Sequence, residues 1–267
     1  MKFFKSVFYF ILISFLLQSC TPVEGCKDPL ASNFDPEADK NCCCQYYQLK
    51  FEIDHSIDSI GTDFNLLSAY PDADLNFYQV KSSAILISSV SLINRLGESF
   101  SVIDKIELPF SSGSSELFTN DFNVIKPGTF INNIGGFSSF GDFERLRFLI
   151  GLNNSARSIN ALEVYDNTNP LSYLNSNAFF DANSNTYNFG KWEIINTSTS
   201  DTSFYKITDT VWIELPINVV AKDGLDTRIP LRLNYSILFD GISFSNDSQT
   251  LIEQKIKNNL RNAFSIQ

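Results

Sequence analysis

The chain predicts an all-β fold: an antiparallel β-sandwich with a long Asn-rich loop and a C-terminal amphipathic helix. Three observations carry that prediction. Its 25 Phe and 10 Tyr, with a single Met, suit pleated, half-buried surfaces. Apolar side chains recur at every second position in several segments, the period of a strand with one face in a core. Gly- and Asn-rich turns separate those segments, and a helical spacing of apolar residues is confined to the C-terminus.

In chain order, Leu49, Phe51 and Ile53 alternate with Lys50, Glu52 and Asp54, one face for a core and one for water. Residues 84–93 form a continuous apolar-plus-serine run suited to a central strand, ended by Asn94-Arg95-Leu96-Gly97. Asn132-Asn133-Ile134-Gly135-Gly136 reads as a turn. Leu146, Phe148, Ile150 and Leu152 alternate again, and residues 155–180 form the Asn-rich loop, with a helical turn near Pro170-Leu171-Ser172. Val211, Ile213, Leu215, Ile217 and Val219 make another strand, closed by a Lys222-Asp223-Gly224 turn. The clearest alternation is Ile229, Leu231, Leu233, Tyr235, Ile237 and Phe239. Ile252, Ile256, Leu260 and Ala263 then give a helix over 249–264 an apolar stripe to pack on the sandwich. Trp192 and Trp212 sit in alternating strands and read as core anchors.

The N-terminus carries an export address. Lys2 and Lys5 precede an apolar run over 7–17, and Leu17-Gln18-Ser19-Cys20 closes it. This resembles a bacterial lipoprotein signal, which implies a signal peptide over 1–19, a lipid-modified Cys20, a tether over 20–46 and a main domain over 47–267. Such a chain sits in the cell envelope, held to the outer membrane by acyl chains, on its periplasmic or surface face. Removing residues 1–19 takes two lysines from 20 basic side chains and none of the 30 acids, leaving a formal charge of −12. With its basic residues scattered singly, the chain is no partner for nucleic acid.

The tether segment from Gly25-Cys26-Lys27-Asp28-Pro29 to Cys42-Cys43-Cys44 resembles a short Cys-containing module of secreted Bacteroidetes proteins. In an oxidising compartment Cys26 is expected to pair with one of Cys42, Cys43 or Cys44. The triple cysteine could instead hold a soft metal such as Cu(I). Asp28, Asn33, Asp35 and Asp39 crowd oxygen ligands suited to calcium, but their spacing is not that of an EF-hand, and a solvated acidic turn is the simpler reading.

Enzyme chemistry finds little purchase. His55 is the one histidine, which forbids most Ser-His-Asp, Cys-His and zinc arrangements unless it is the pivot. No phosphate loop or dinucleotide fingerprint occurs. His55 follows a strand and shares the face of Phe51 and Ile53. It reads either as a satisfied histidine at the rim of a core or as a metal ligand assisted by Asp54, Asp58 or a tyrosine.

Leu49-Lys50-Phe51-Glu52-Ile53-Asp54-His55, Ile85-Leu86-Ile87-Ser88-Ser89-Val90-Ser91-Leu92, and Phe143-Glu144-Arg145-Leu146-Arg147-Phe148-Leu149-Ile150-Gly151-Leu152-Asn153 together resemble the MbnP-like copper-binding domain family. Pro170-Leu171-Ser172 and Asn185-Thr186-Tyr187-Asn188-Phe189 do so as well. The resemblance implies an exported β-sandwich that binds copper through histidines, in some members beside a tryptophan oxidised by a partner dihaem peroxidase. This chain keeps only His55 of that ligand set: Asn169 stands beside Pro170, and no histidine occurs near Tyr205-Lys206-Ile207. Two functions follow: copper handling on a degraded site, or a non-metal module for glycan or protein recognition, contacted through Tyr70, Phe77 and Tyr78.

Overall fold

The computed structural model describes residues 22–110, 112–176 and 179–267; the expected signal peptide over 1–19 and the expected lipidation site Cys20 lie outside the described residues. The chain divides between Tyr46 and Tyr47 into two compact units.

In the first unit, Glu24–Gly25 and Lys40–Asn41 pair in parallel as two very short strands. Apolar burial is sparse here, with Cys26, Ala31 and Ala38 enclosed. A Cys26–Cys44 disulfide closes the segment, the usual device where a core is too small to hold a fold. Cys42 and Cys43 are free thiols.

The second unit is a two-sheet sandwich. Strand β1 is Gln48–Ser56 and β2 is Phe77–Asn94. They are followed by β3 (Asn123–Ile125), β4 (Ile131–Gly136), β5 (Gly141–Ile150), β6 (Gly190–Asn196), β7 (Thr202–Ile207), β8 (Val211–Ala221) and β9 (Thr227–Asn234). The chain ends in α1 (Tyr235–Leu238), α2 (Gln249–Ala263) and β10 (Phe264–Ile266). One sheet has the order β4-β1-β9-β10; the other has β7-β6-β2-β5-β8, with β3 and the short strands Ala69–Pro71 and Ser99–Ser101 also paired to β2. The inner faces meet where Phe51 of β1 lies 5.8 Å from Phe148 of β5, and Phe148 lies 5.4 Å from Phe264 of β10.

The alternating segments become strands as their period dictates: Leu49, Phe51 and Ile53 are buried, and so are Val211, Ile213, Leu215 and Ile217. Pairing within the two sheets is antiparallel except between β1 and β9, which run parallel and set His55 beside Leu233. Helix α2 buries Ile252, Ile256, Leu260 and Ala263, its expected stripe. The Ser248 hydroxyl caps the helix by accepting from Leu251 N.

Three local expectations are corrected. The alternation over 229–239 is not one strand: Asn234 Oδ1 accepts from Ser236 N and Ile237 N and opens α1 instead. Asn132 to Gly136 is not a turn but belongs to β4, paired to β1 across a bulge between Asn133 and Gly135. Gly135 takes φ +147° there, with Val102 and Asp104 packed close over its Cα. Trp212 is not a core anchor; it is 40% exposed and carries Arg147 over its ring at 4.1 Å. Trp192, at 1% exposure, is one.

The Asn-rich loop owes its shape to its asparagines. Asn160 Oδ1 and Asn169 Oδ1 accept from Leu162 N and Leu171 N, and Asn175 Nδ2 donates to the backbone oxygens of Asn167, Thr168 and Asn169. Each side chain replaces a backbone partner that a regular element would have supplied.

Candidate functional site

His55 sits near the end of β1, on the core-facing side. Its Nδ1 lies 3.2 Å from the Tyr235 hydroxyl, and Tyr235 in turn donates to Ser83 Oγ at 3.2 Å. The tautomer of the ring sets which of Nδ1 and the phenol donates, and Nε2 is the other ring nitrogen. Nε2 is buried and has no hydrogen-bond partner among the described residues. Burial pulls the imidazole pKa down to about 4, against the opposing influence of Asp54 and of the Lys126 backbone. The ring is therefore neutral at ordinary pH.

The groups expected to assist His55 are turned to other work. Asp54 lies on the opposite face of β1, where Arg232 Nε approaches its Oδ2 at 3.3 Å. Asp58 Oδ1 accepts from the backbone of Ile60, Gly61 and Thr62, a loop clamp. Asn169 is spent on its own turn. Tyr235 is fixed from the other side by Phe64, stacked at 3.7 Å. Among the described residues, no three of His, Cys, Asp and Glu converge. One imidazole beside a single phenol does not fit copper, which favours several imidazole or thiolate ligands.

The tether oxygens are likewise engaged. Asp28 Oδ1 accepts from Leu30 N and its Oδ2 from the Tyr46 hydroxyl. Asn33 Oδ1 accepts from Gln45 N, Asp35 Oδ1 from Glu37 N and Asp39 Oδ2 from Val23 N. These four side chains brace turns and do not point at a common centre. The disulfide selects Cys44 as the partner of Cys26.

Of the aromatic residues expected to contact a ligand, Tyr78 is buried and Phe77 is half exposed. The Tyr70 hydroxyl donates to Asn65 O and accepts from Asn65 N. Tyr70 and Tyr78 do line a cleft of about 260 Å³ together with Asp72 and Asp240. Asp72, though, spends both oxygens on the backbone of Asp74, Asn76 and Phe244.

A larger cavity, about 430 Å³, opens between β6, β7 and the start of α2. Asn188, Lys191, Trp192, Glu193, Phe204 and Gln249 contribute to its wall. Strand pairing assembles it: Trp192 faces Tyr205, and Glu193 faces Phe204. Burial holds the Lys191 pKa below its ordinary value. Sequence reasoning missed this site because its residues come from separate segments; the one local signal was a tryptophan, whose indole N–H needs a partner wherever the ring is buried.

No family model matches the chain and no curated protein matches it. Among solved structures, MbnP from Methylosinus trichosporium is similar to it at a TM-score of 0.45 and 10% identity, over 77% of this chain and 86% of that one.

Proposed function

We propose that the chain is an exported, lipid-anchored recognition module that binds its ligand noncovalently and catalyses no reaction. Acyl chains on Cys20 hold it to the outer membrane, the disulfide-stapled segment over 20–46 spaces it from the bilayer, and the sandwich over 47–267 presents the binding surface. The basic start, the apolar run and the Leu17-Gln18-Ser19-Cys20 sequence support the anchor. Among the described residues no helix is long and apolar enough to cross a membrane.

One contrast carries the recognition reading. His55 pairs with a phenol that in turn donates to a serine, whereas the cavity beside β6 and β7 is walled by the exposed Phe204 with Lys191, Glu193 and Gln249. Binding sites are commonly apolar walls with a few placed polar groups.

The competing reading, copper handling beside a dihaem peroxidase-type partner, has one observation in its favour: the neutral, unpartnered His55 Nε2. A titration of the mature chain with Cu(I) and Cu(II), beside His55→Ala and a Cys42→Ser/Cys43→Ser variant, separates the two. The recognition reading expects no His55-dependent site. One-to-one copper binding lost in His55→Ala overturns it.

A further inference from the structure

We infer that the tether is an intramolecular thiol–disulfide exchange site: the Cys42 thiolate attacks Cys26 Sγ, forms Cys26–Cys42 and expels Cys44, so that Cys26 serves two alternative partners. This does not depend on what the sandwich binds. Two short strands set up the attack. Glu24 pairs with Lys40 and Gly25 with Asn41 in parallel, and Cys42 N donates to Gly25 O at 2.9 Å. The same register carried one residue further sets Cys26 opposite Cys42. Opposed residues of a ladder lie about 5 Å apart with their side chains on one face, and disulfides span Cα separations of about 4.4–6.8 Å. Cys42 is therefore within bonding reach of Cys26 without rearrangement of either strand.

The observed partner is one that this register does not offer. Cys44 lies two residues beyond Cys42, and its Cα stands 4.8 Å from that of Cys26. The chain gets there through Cys43 at φ +59°, a left-handed backbone that is costly for a residue with a Cβ. Hydrogen bonds hold the kink. Asn33 Nδ2 donates to Cys43 O and Gln45 N donates to Asn33 Oδ1, both at 2.8 Å, and Ser32 N donates to Gln45 O at 2.7 Å. Each pairing thus has its own support: the ladder favours Cys42, and the Asn33 clamp favours Cys44.

The exchange balances with no added oxidant or reductant. One S–S bond forms between Cys42 and Cys26 as the Cys26–Cys44 bond breaks, the bonding pair leaves on Cys44, and the proton lost by Cys42 is taken up there. Asn41 Oδ1, 3.6 Å from Cys44 Sγ, is placed to accept from the freed thiol. Cys26 is 1% exposed, which shields its sulfur from thiols in solution and leaves the attack to a neighbour. Cys42 is that neighbour, half-buried and free. Its hydrogen bond with Cys43 disfavours the thiolate, so the exchange is slow and Cys26–Cys44 is the resting bond. Alkylated Cys42 cannot attack, and excess iodoacetamide freezes the resting pairing.

The test maps the disulfide over time in the full chain, beside Cys42→Ser and Cys44→Ser. At each interval free thiols are capped with N-ethylmaleimide, the protein is reduced, and the thiols so released take iodoacetamide. Fragmentation of the tryptic peptide over 41–50 then shows which cysteine carries the second label. In the wild type that label is expected on Cys44 at first and to move in part to Cys42, not Cys43, at a rate unchanged by dilution. Cys42→Ser is expected to keep it on Cys44 throughout. Cys44→Ser is expected to join Cys26 to Cys42 about tenfold more often than to Cys43. A label that never leaves Cys44 in the wild type, a Cys44 thiol freed in Cys42→Ser as well, or a rate that falls on dilution overturns the proposal. So does Cys26–Cys43 as the main bond of Cys44→Ser.

Discussion

His55 Nδ1 lies 3.2 Å from the hydroxyl of Tyr235, a residue 180 positions later in the chain. The parallel pairing of β1 with β9 makes this possible by setting Ser56 opposite Asn234. The Asn234 cap then turns the chain into α1 and carries the phenol back over the end of β1. The contact is part of an aromatic series. Tyr235 lies 6.0 Å from Phe239, Phe239 lies 5.6 Å from Phe244, and Phe244 lies 5.7 Å from Tyr205 in β7. Packing is thus continuous from His55 to the strand that borders the cavity.

Tyr235→Phe keeps the ring stacked on Phe64 and removes the hydroxyl. It leaves His55 Nδ1 without its partner and Ser83 Oγ without its donor. Loss of a buried polar partner costs about 1–3 kcal/mol, so the urea midpoint is expected to fall with an unchanged slope. A midpoint equal to that of the wild type would show that the hydroxyl contributes nothing.

The depressed His55 pKa has a pH signature. The group titrates near 6.5 when unfolded and near 4 when folded, so the folded chain binds fewer protons between those values. The stability tied to a neutral His55 is complete above pH 6.5 and is lost as the pH falls from 6.5 towards 4. At 1.36 kcal/mol per unit the loss reaches about 3 kcal/mol at the bottom of that window, less what residual exposure screens. Unfolding midpoints at pH 7.5, 6 and 5 are expected to fall more steeply for the wild type than for His55→Gln. Parallel profiles for the two proteins count against a buried neutral ring.

Helix α2 was legible because Gln254, Asn258 and Asn262, which a strand would place on the same face as Ile252, Ile256 and Leu260, are polar, and because Ala263 continues the stripe at helical spacing. The 229–239 segment was not, and the reason is geometric. Residues 235 and 239 share a side under a two-residue period and also as an i, i+4 pair on a helix, so alternation alone could not separate the two. Residues 237 and 238 decide it: Leu238 is buried, and Ile237 is 36% exposed. At the candidate site, the sequence placed His55 on the core face of β1 but could not bring Tyr235 to it, because that contact depends on a strand pairing across the whole domain. The cavity was less legible still. Asn188, Trp192, Phe204 and Gln249 have no local spacing in common and meet only through sheet register and the docking of α2.

Gly190 tests how tightly Trp192 is seated. A Cβ built on Gly190 would stand 2.3 Å from Trp192 Cη2, and the indole, at 1% exposure, has nowhere to retreat. Gly190→Ala is expected to destabilise the sandwich by about 1–3 kcal/mol, the usual cost of overpacking a core. Combining it with Trp192→Phe, which draws the ring back from Gly190, is expected to cost less than the two single changes added together. Additivity in thermal unfolding would place the strain elsewhere.

The cysteines of the tether predict a labelling pattern. Cys26 and Cys44 are joined, whereas Cys43 is exposed and Cys42 half-buried, both as thiols. A hydrogen bond to the Cys43 thiol is the main cause that raises the Cys42 pKa, so Cys42 holds less of the reactive thiolate than it otherwise would. Iodoacetamide without reductant is expected to modify Cys43 first, Cys42 more slowly, and neither Cys26 nor Cys44, as read by peptide mass spectrometry over time. Closing a loop of this size stabilises a fold by about 3 kcal/mol in the chain-entropy account. Cys26→Ser/Cys44→Ser should therefore open residues 22–46 to protease while the fragment over 47–267 stays intact, because the two units are separately compact. Protection of the tether in that variant would assign its order to the side-chain clamps of Asp28, Asn33, Asp35 and Asp39 rather than to the disulfide.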